Sequence, residues 1–260
     1  MKKLTAIILA MALILTFTAC NSGDGISQSE ADRLQEENDR LQGELDKESG
    51  GNTGGSSSSY SSAKVGDKIQ FGEYDWRVLD IQDGKALILS GNIIETRPYN
   101  NMQTESITWE QCDLRAYLNG EFHNSFSSAE QVRIVETTVI NKDNQWYGTS
   151  GGNHTADKVF LLSLEEAIGY FGDSGQLKNK PNDDSYIIYD EYNSYIIYDE
   201  YNEARIAENK DGYSDMWWLR SPGYFSYYAA NVSDDGCVDV YGYGVNFNRG
   251  GVRPALWLNL

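Results

Sequence analysis

The residues of this chain that could carry out chemistry are its two histidines, its cysteines and several neighbouring carboxylates. His123 and His154 have no serine or cysteine partner indicated by the sequence, so we expect both to be plain surface histidines. Cys112 and Cys237 lack the spacing of a zinc site, and we expect Cys112 to be a small buried hydrophobe. Adjacent carboxylates on a strand point to opposite faces. We therefore predict no catalytic residue, no metal site and no enzyme.

One Gly-rich loop gathers the hard oxygen ligands that calcium prefers. These ligands would come from Asn141, Asp143, Asn144, Asn153 and Asp157. The spacing of these residues is not that of an EF-hand. We therefore expect the protein to bind no cofactor, with calcium binding as the alternative.

The two arginines near the C-terminus, Arg220 and Arg253, each adjoin a proline and an apolar run. We expect them to form buried hydrogen-bond or ion-pair networks rather than to clamp a ligand. The tryptophans at positions 76, 109, 217, 218 and 257 are expected to lie in the core.

The pattern that bears most on function is a polar and aromatic tract at residues 224–248. From Ala230 to Gly244 small and apolar residues mostly occupy even positions, whereas polar and aromatic residues occupy odd ones. Alternation with period two predicts strands with one buried and one open face. Gly236 lies near the middle, where a hairpin turn is expected. Tyr, Ser, Asn and Gly supply rigid contact area and adaptable hydrogen bonds in antibody paratopes, so we interpret the tract as a ligand-binding face.

The predicted ligand-binding residues lie on the open face and in the loops at its ends. They are Tyr224, Phe225, Tyr227, Tyr228, Asn231, Ser233, Asp235, Cys237, Asp239, Tyr241, Tyr243, Asn246 and Asn248.

The N-terminus resembles the export signal of a bacterial lipoprotein. Lys2 and Lys3 precede an apolar stretch at residues 4–17, too short to span a bilayer as a stable helix, and Thr18-Ala19 precede Cys20. The resemblance implies a signal peptide at residues 1–19 and acylation of Cys20. It also implies a protein anchored by lipid to the cell membrane and facing the exterior, with residues 20–26 as a tether.

A stalk and a linker are predicted next. Residues 27–48 predict a charged helix whose seam, Ala31, Leu34, Asn38, Leu41 and Leu45, is spaced as in a coiled coil. A solvated stalk helix and weak self-association through residues 31–45 remain equal alternatives. Residues 49–63 are a Gly/Ser linker, so the folded domain is expected at residues 64–260. The net charge of −18 argues against nucleic acid as a partner.

Short strands, a hairpin at Asp83-Gly84 and about three helices are predicted in that domain. The helices are expected at residues 109–118, after Thr108, at residues 128–136, after Ser127, and at residues 164–171, after Ser163, each opened by a capping box. A buried strand is expected at residues 159–162. Nine residues, 185–193, recur without change at 194–202. This duplication is interpreted as a neutral insertion, with a tyrosine-rich arm near the binding face as the alternative.

The framing segments Trp217-Trp218-Leu219-Arg220-Ser221-Pro222-Gly223 and Gly250-Gly251-Val252-Arg253-Pro254-Ala255-Leu256 resemble the C-terminal signature of uncharacterised bacterial surface proteins. That family is similar to the C-type-lectin fold in its formylglycine-generating-enzyme-like branch. The resemblance covers roughly residues 65–260 and implies an α+β, C-type-lectin-like domain with short antiparallel strands and long loops. Its terminal strands, near residues 67–71 and 253–258, are expected to pair. The enzymatic activity depends on a cysteine pair and is not carried over.

A second resemblance is to the variable proteins of diversity-generating retroelements, which use the same fold. Adenine mutagenesis of Asn codons in those systems cannot produce Lys, Glu, Gln, Met or Trp. These five residue types are absent from residues 223–248. A static tyrosine-rich domain would have a similar composition, because strands and turns disfavour Lys and Glu.

The expected function is that of a cell-surface lipoprotein that displays residues 224–248 to a protein or glycan ligand, with or without diversification. Two alternatives remain open from the sequence. One is an enzyme of the formylglycine-generating or hydrolase type, and the other is an adhesion module of fixed glycan specificity.

Overall fold

The computed structural model describes residues 62–180 and 195–260. The chain divides into two compact units, Met1–Ser58 and Ser59–Leu260, and the described residues belong to the second. The predicted signal peptide, Cys20, the tether, the stalk helix and nearly all of the linker lie outside the described residues, as does the first repeat copy. No helix within the described ranges is long and apolar enough to cross a membrane.

The described part is α+β, as predicted. Its strands are β1 Lys68–Phe71, β2 Tyr74–Gln82, β3 Lys85–Ser90, β4 Glu95–Thr96, β5 Ile134–Val135, β6 Thr137–Val139, β7 Thr155–Asp157, β8 Ile196–Ile197, β9 Trp217–Pro222, β10 Tyr228–Val232, β11 Val238–Gly244, β12 Gly251–Val252 and β13 Ala255–Asn259. Its α-helices are α1 Asp113–Tyr117, α2 His123–Ser125, α3 Ser128–Arg133, α4 Leu164–Phe171 and α5 Asn202–Arg205.

A five-stranded sheet holds strands from both ends of the domain in the order β1-β2-β3-β13-β5. Asp83 and Gly84 join β2 to β3 with φ of 49° and 73°, so the predicted hairpin turn is confirmed. β13 pairs antiparallel with β3 on one side and β5 on the other. β2 and β3 therefore separate β1 from β13, and the expected direct pairing of the terminal strands is wrong.

A six-stranded sheet carries the tract of interest, in the order β4-β12-β9-β10-β11-β8. β9, β10 and β11 form an antiparallel meander, whereas β12 runs parallel to β9. The turn between β10 and β11 contains Gly236 at a φ of 83°, which confirms the predicted hairpin. A Cβ atom at Gly236 would lie 1.9 Å from the carbonyl oxygen of Asn202, so glycine is required there.

Two of the three predicted helix starts are confirmed. Ser127 and Ser163 each close a capping box with the glutamate three residues later. α4 matches its predicted span, but α3 stops at Arg133 because the next residues join the five-stranded sheet as β5. The predicted strand at 159–162 is buried, but only Phe160 forms a bridge, to Ala255.

The helix expected at residues 109–118 is built differently. Trp109–Gln111 form a 3-10 turn, and the thiol of Cys112, not Thr108, accepts the capping hydrogen bond, from the Arg115 amide at 3.4 Å. The helical path also continues beyond Asn119-Gly120 through a π-helical turn, Leu118–Phe122, into α2. The Asn119 side-chain oxygen instead accepts from the amides of residues 158 and 159, which explains why it does not end the helix.

The core and its buried arginines follow the sequence closely. Four of the five tryptophans expected in the core are fully buried, and Trp257 is partly buried. Arg220 forms an ion pair with Glu166 and donates to the carbonyls of Leu161 and Ile140. Within the part of the chain that the structure describes, Arg253 donates to three backbone carbonyls and to no side chain. The predicted buried networks of Arg220 and Arg253 are therefore confirmed.

Candidate functional site

A continuous group of aromatic rings covers the end of the β9-β10-β11 meander. We call it the tyrosine face. Its members are Tyr147, Tyr195, Tyr224, Phe225, Tyr227, Tyr228 and Tyr241. Each ring lies within 6.0 Å, centroid to centroid, of at least one other, and none is fully buried. Tyr224 and Tyr195 are 43% and 42% exposed, so the group is open to solvent rather than part of the core.

The rings pack in stacked and edge-to-face arrangements, which the quadrupoles of aromatic rings favour. Tyr224 stacks on Tyr241 with centroids 5.0 Å apart and planes at 8°, and Phe225 stacks on Tyr227 at 5.1 Å. Tyr147 meets the Tyr224 ring edge-on at 4.8 Å. These mutual contacts hold large side chains in place at the surface, so little rotamer entropy would be lost when a ligand binds them.

The turn after β9 positions the rings of residues 224–228. The Gly223 amide donates to the Tyr228 carbonyl at 2.8 Å, and the Tyr224 amide donates to the Tyr241 carbonyl at 2.7 Å. A Cβ atom at Gly223 would lie 2.3 Å from that Tyr241 oxygen, so only glycine allows β9 to approach β11 this closely. The turn is thus hydrogen-bonded to the sheet on both sides, and the rings project from a fixed backbone.

Asn144 fixes the loop that carries Tyr147. Its side-chain amide donates to the carbonyls of Pro222, at 2.8 Å, and Val240, at 2.9 Å, so it bridges β9 and β11. Its side-chain oxygen accepts from the amides of Trp146 and Tyr147. The residue is only 2% exposed. One buried side chain therefore joins this loop to the strands on which the other rings lie.

The second repeat copy supplies an edge strand and one ring. β8 pairs antiparallel with β11, Ile197 is fully buried, and Tyr195 contacts the Tyr241 ring at 5.0 Å. Further along the copy, Asp199 forms a fully buried ion pair with Arg205. The described residues of this copy are thus structural, and Tyr195 also belongs to the tyrosine face. Both interpretations of the duplication, a neutral insertion and a tyrosine-rich arm, stay predictions.

An acidic pocket of about 530 Å³ adjoins the tyrosine face. Its lining includes Tyr195, Tyr241 and three carboxylates, those of Asp234, Asp235 and Asp239. Asp239 accepts hydrogen bonds from the Gly242 amide and the Asn231 side chain, but burial outweighs them and raises its pKa. Burial also raises the pKa of Tyr241. Its hydroxyl can donate as well as accept, as in any tyrosine. The pocket therefore offers hydrogen-bond donors and acceptors beside exposed rings.

A cation already lies against the other side of the face. The Lys180 ammonium is 4.4 Å from the centroid of the Tyr147 ring and 5.7 Å from that of Trp146. Burial, followed by the charge of Asp239, raises the pKa of Tyr147. The face as a whole can therefore form apolar, cation–π and hydrogen-bonded contacts.

Most of the predicted ligand-binding residues are accessible. Tyr224, Tyr243, Asp235, Asn246 and Asn248 are exposed. Those of intermediate burial are Phe225, Tyr227, Tyr228, Ser233, Asp239 and Tyr241. Tyr243 and the two asparagines stand apart from the tyrosine face, and the Tyr243 ring contacts Phe247 at 4.7 Å instead.

For two of the predicted ligand-binding residues, Asn231 and Cys237, the prediction of a position on the open face is wrong. Asn231 is 3% exposed because β10 lies between β9 and β11, and its side chain donates to Asp239. Cys237 is 1% exposed because α5 lies over the hairpin, where the Asn202 side chain donates to the thiol at 3.3 Å. The alternation of burial holds along most of β11, where one face is open, but fails along β10.

Tyr147 and Tyr195 belong to the face but were missed. Their distance along the chain from residues 224–248 left no local signal, apart from the tyrosine-rich character of the repeat.

His123 was expected at the surface, yet it is 5% exposed, and burial lowers its pKa. His154 is exposed and Cys112 is buried, as predicted.

Three of the five side chains considered as calcium ligands use their oxygens within the protein, whereas the buried Asn141 side-chain oxygen has no hydrogen-bond partner among the described residues. Asn144 and Asp143 accept from loop amides, and Asp157 accepts from Trp109, Arg115 and Thr155. Within residues 62–180 and 195–260 no group of three or more His, Cys, Asp or Glu side chains is arranged to hold a metal ion.

Comparison with known proteins gives a family but no activity. No curated protein and no solved structure matches the chain. A family model described as a domain of unknown function, DUF6273, matches residues 83–260, which include every member of the tyrosine face and all strands from β3 to β13. The chain therefore belongs to the DUF6273 family.

Proposed function

We propose that this protein is a cell-surface lipoprotein whose C-terminal domain binds a protein or glycan ligand through the tyrosine face. The observation that carries the proposal is a group of seven mutually packed rings at one end of the meander, two of them exposed and five half-buried. Contiguous exposed aromatic groups are uncommon on soluble proteins and mark interaction sites. Tyrosine gives such a surface a large contact area and a hydroxyl at its rim.

The proposal includes a C-type-lectin-like fold and a lipid anchor. The first is supported by the framing segments at residues 217–223 and 250–256 and by terminal strands that share one sheet. The anchor is supported by the lysine pair, the short apolar stretch and Cys20 at the N-terminus. Lipidation would keep the binding domain at the outer surface of the cell.

The test starts from the full-length chain on arrays of glycans and of extracellular proteins. Any ligand found is then measured against the double variant Tyr224→Ala/Tyr228→Ala. We expect its affinity to fall by at least about thirtyfold, since truncating central aromatic anchors costs about 2 kcal/mol or more. The fold should persist, because Tyr224 is 43% exposed and Tyr228 is half-buried.

Tyr213→Ala is the matched control. Tyr213 is 72% exposed and is outside the tyrosine face, so its removal should leave the affinity unchanged. Full retention of binding by the double variant, with circular dichroism like that of the parent chain, would contradict the proposal. Unfolding of the double variant would show that these rings are core instead.

A further inference from the structure

Arg253 is an unusual buried charge in this fold. The described residues contain three buried arginines, at positions 205, 220 and 253. Arg205 and Arg220 each form an ion pair, with Asp199 and Glu166. Arg253 is 3% exposed and forms no ion pair with any described carboxylate. A buried charge that lacks a counterion costs several kcal/mol. An anion bound beside Arg253 would therefore stabilise the folded protein.

Each of the three guanidinium nitrogens of Arg253 donates a hydrogen bond, but every acceptor is a neutral carbonyl. Its guanidinium donates to the carbonyls of Ser90, Gly91 and Arg205 at 3.1 to 3.4 Å. The Trp217 ring lies 4.9 Å from the guanidinium carbon and the Phe171 ring 5.4 Å. Dipoles and rings stabilise a cation without neutralising it. The guanidinium also carries more N–H donors than these three carbonyls use.

Arg253 lines a second pocket, of about 470 Å³, which we call the arginine pocket. Lys68 and Arg77 line it too, and they are direct cross-strand partners in the β1–β2 ladder. Neither forms an ion pair with a described residue. Burial, and then the Arg77 guanidinium, lowers the pKa of Arg253, so the two cations act on each other. Arg253 is buried, Arg77 is half-buried and Lys68 is exposed, so three cations without an ion-pair partner among the described residues line one cavity.

The arginine pocket also has polar neutral groups and an acidic rim. Ser90, Asn92 and Tyr74 line it, and they could supply further hydrogen bonds. Glu73 and Asp75 line it as well, but both are exposed. The deepest charge is therefore positive, and the negative charges are exposed to solvent, where they are screened.

We propose that the arginine pocket binds an oxyanion, the carboxylate or phosphate group of a small molecule. The planar guanidinium fork of arginine matches either group with two parallel hydrogen bonds. The bound anion would supply the counterion that Arg253 lacks. This site is separate from the tyrosine face, and the two share no lining residue.

The test uses the full-length chain with sodium phosphate and sodium acetate as probes. Each probe salt replaces sodium chloride in steps at constant ionic strength, and the melting temperature of the protein is recorded at each step. A rise is expected with at least one probe, because a ligand that binds only the folded state stabilises it by RT ln(1 + c/Kd), where c is the probe concentration, so the melting temperature climbs logarithmically with c above the Kd. A rise with phosphate alone or with acetate alone identifies the anion class.

Variants decide whether the effect arises in the arginine pocket. Arg77→Gln should weaken the apparent affinity by roughly tenfold, the value of one charge-assisted hydrogen bond. Glu73→Gln should strengthen the apparent affinity for the anion, because it removes a repulsive negative charge at the rim of the pocket. A purely structural role of the pocket residues would not predict this gain in affinity. Arg249→Gln, an exposed arginine outside the pocket, is the control and should bind like the parent chain.

Two results would overturn the proposal. One is the absence, with both probes, of a melting-temperature rise beyond that of sodium chloride at the same ionic strength. The other is an equal rise in the parent chain and in Arg77→Gln, which would indicate a general effect of the salts on stability. Arg253 itself is left unchanged, because its removal would leave the carbonyls of Ser90 and Gly91 buried and unpaired.

Discussion

Asn144 is the residue on which the geometry of the tyrosine face depends most. Its amide joins the end of β9 to β11, and its oxygen holds the amides of Trp146 and Tyr147. Leucine or alanine could fill part of this space, but neither could supply donors and acceptors to four buried backbone groups. The residue is therefore a positioning residue for the Tyr147 ring.

We predict that Asn144→Ala lowers the free energy of unfolding by about 2–4 kcal/mol, because each buried carbonyl that loses its donor costs about 1–3 kcal/mol. Urea denaturation monitored by circular dichroism measures this change. Asn246→Ala removes an exposed asparagine and should cost less than about 0.5 kcal/mol. Equal stabilities for the two variants would show that the bridge between β9 and β11 is not needed.

Residue type predicted the burial of some side chains correctly and of others incorrectly. The tryptophans, Cys112, Arg220 and Arg253 were located correctly, because large apolar residues and arginines beside apolar runs are usually buried. Asn231 and Cys237 were misplaced, since their exposure depends on neighbours from elsewhere in the chain: Asn231 lies between its cross-strand partners Trp218 and Asp239, and Asn202 of α5 contacts Cys237. A period of two along one strand shows which side chains share a face, but not whether a neighbour covers that face.

At the scale of elements, the second repeat copy is the least expected part of the site. It provides the edge strand β8, the buried Ile197 and the Tyr195 ring. The two copies are identical, so deleting either one yields the same shortened chain. The shortened chain therefore keeps every residue type that makes these contacts, each in its place within the remaining copy.

We predict that this nine-residue deletion changes the melting temperature by less than about 3 °C. Shortening a loop changes its closure entropy by only about 0.6 kcal/mol per halving, and about 1 kcal/mol moves the melting temperature of a domain this size by roughly 2–4 °C. Differential scanning calorimetry measures the shift.

The same shortened chain provides a control. Alanine at its remaining position equivalent to Ile197 should cost about 2–5 kcal/mol, because that side chain is fully buried. A loss of stability in the shortened chain as large as that of this isoleucine variant would mean that both copies stabilise the domain.

Elements with local signals were predictable, and those fixed by tertiary contacts were not. The Asp83-Gly84 hairpin, the Gly236 hairpin and two capping boxes depend on residues close together in the chain. The helix after Trp109 departs from its prediction because Asn119 is used to hold residues 158 and 159. Strand pairs that join distant segments, such as β13 with β5, leave no such local pattern.

At the scale of the whole molecule, the tract at residues 224–248 combines two kinds of position. Alanine and valine positions such as Ala229, Val232 and Val238 are fully buried and support the meander. Tyr224 and Tyr243 are exposed and contribute little to the core. A surface of this kind can change its chemistry at the exposed positions without loss of stability, since surface substitutions usually cost less than about 0.5 kcal/mol.

If the tract is diversified by a retroelement, related gene copies should differ mainly at adenine-containing codons of exposed residues. We predict variation at Tyr224, Asp235, Tyr243, Asn246 and Asn248. Asn231 should stay constant although its codon contains adenines, because its buried amide donates to Asp239 Oδ2 and most replacements would leave that buried oxygen without its donor. Sequencing of sibling genes and of any nearby template repeat provides the measurement. Substitutions spread evenly over codons 64–260 would exclude diversification and leave a binding face of fixed specificity.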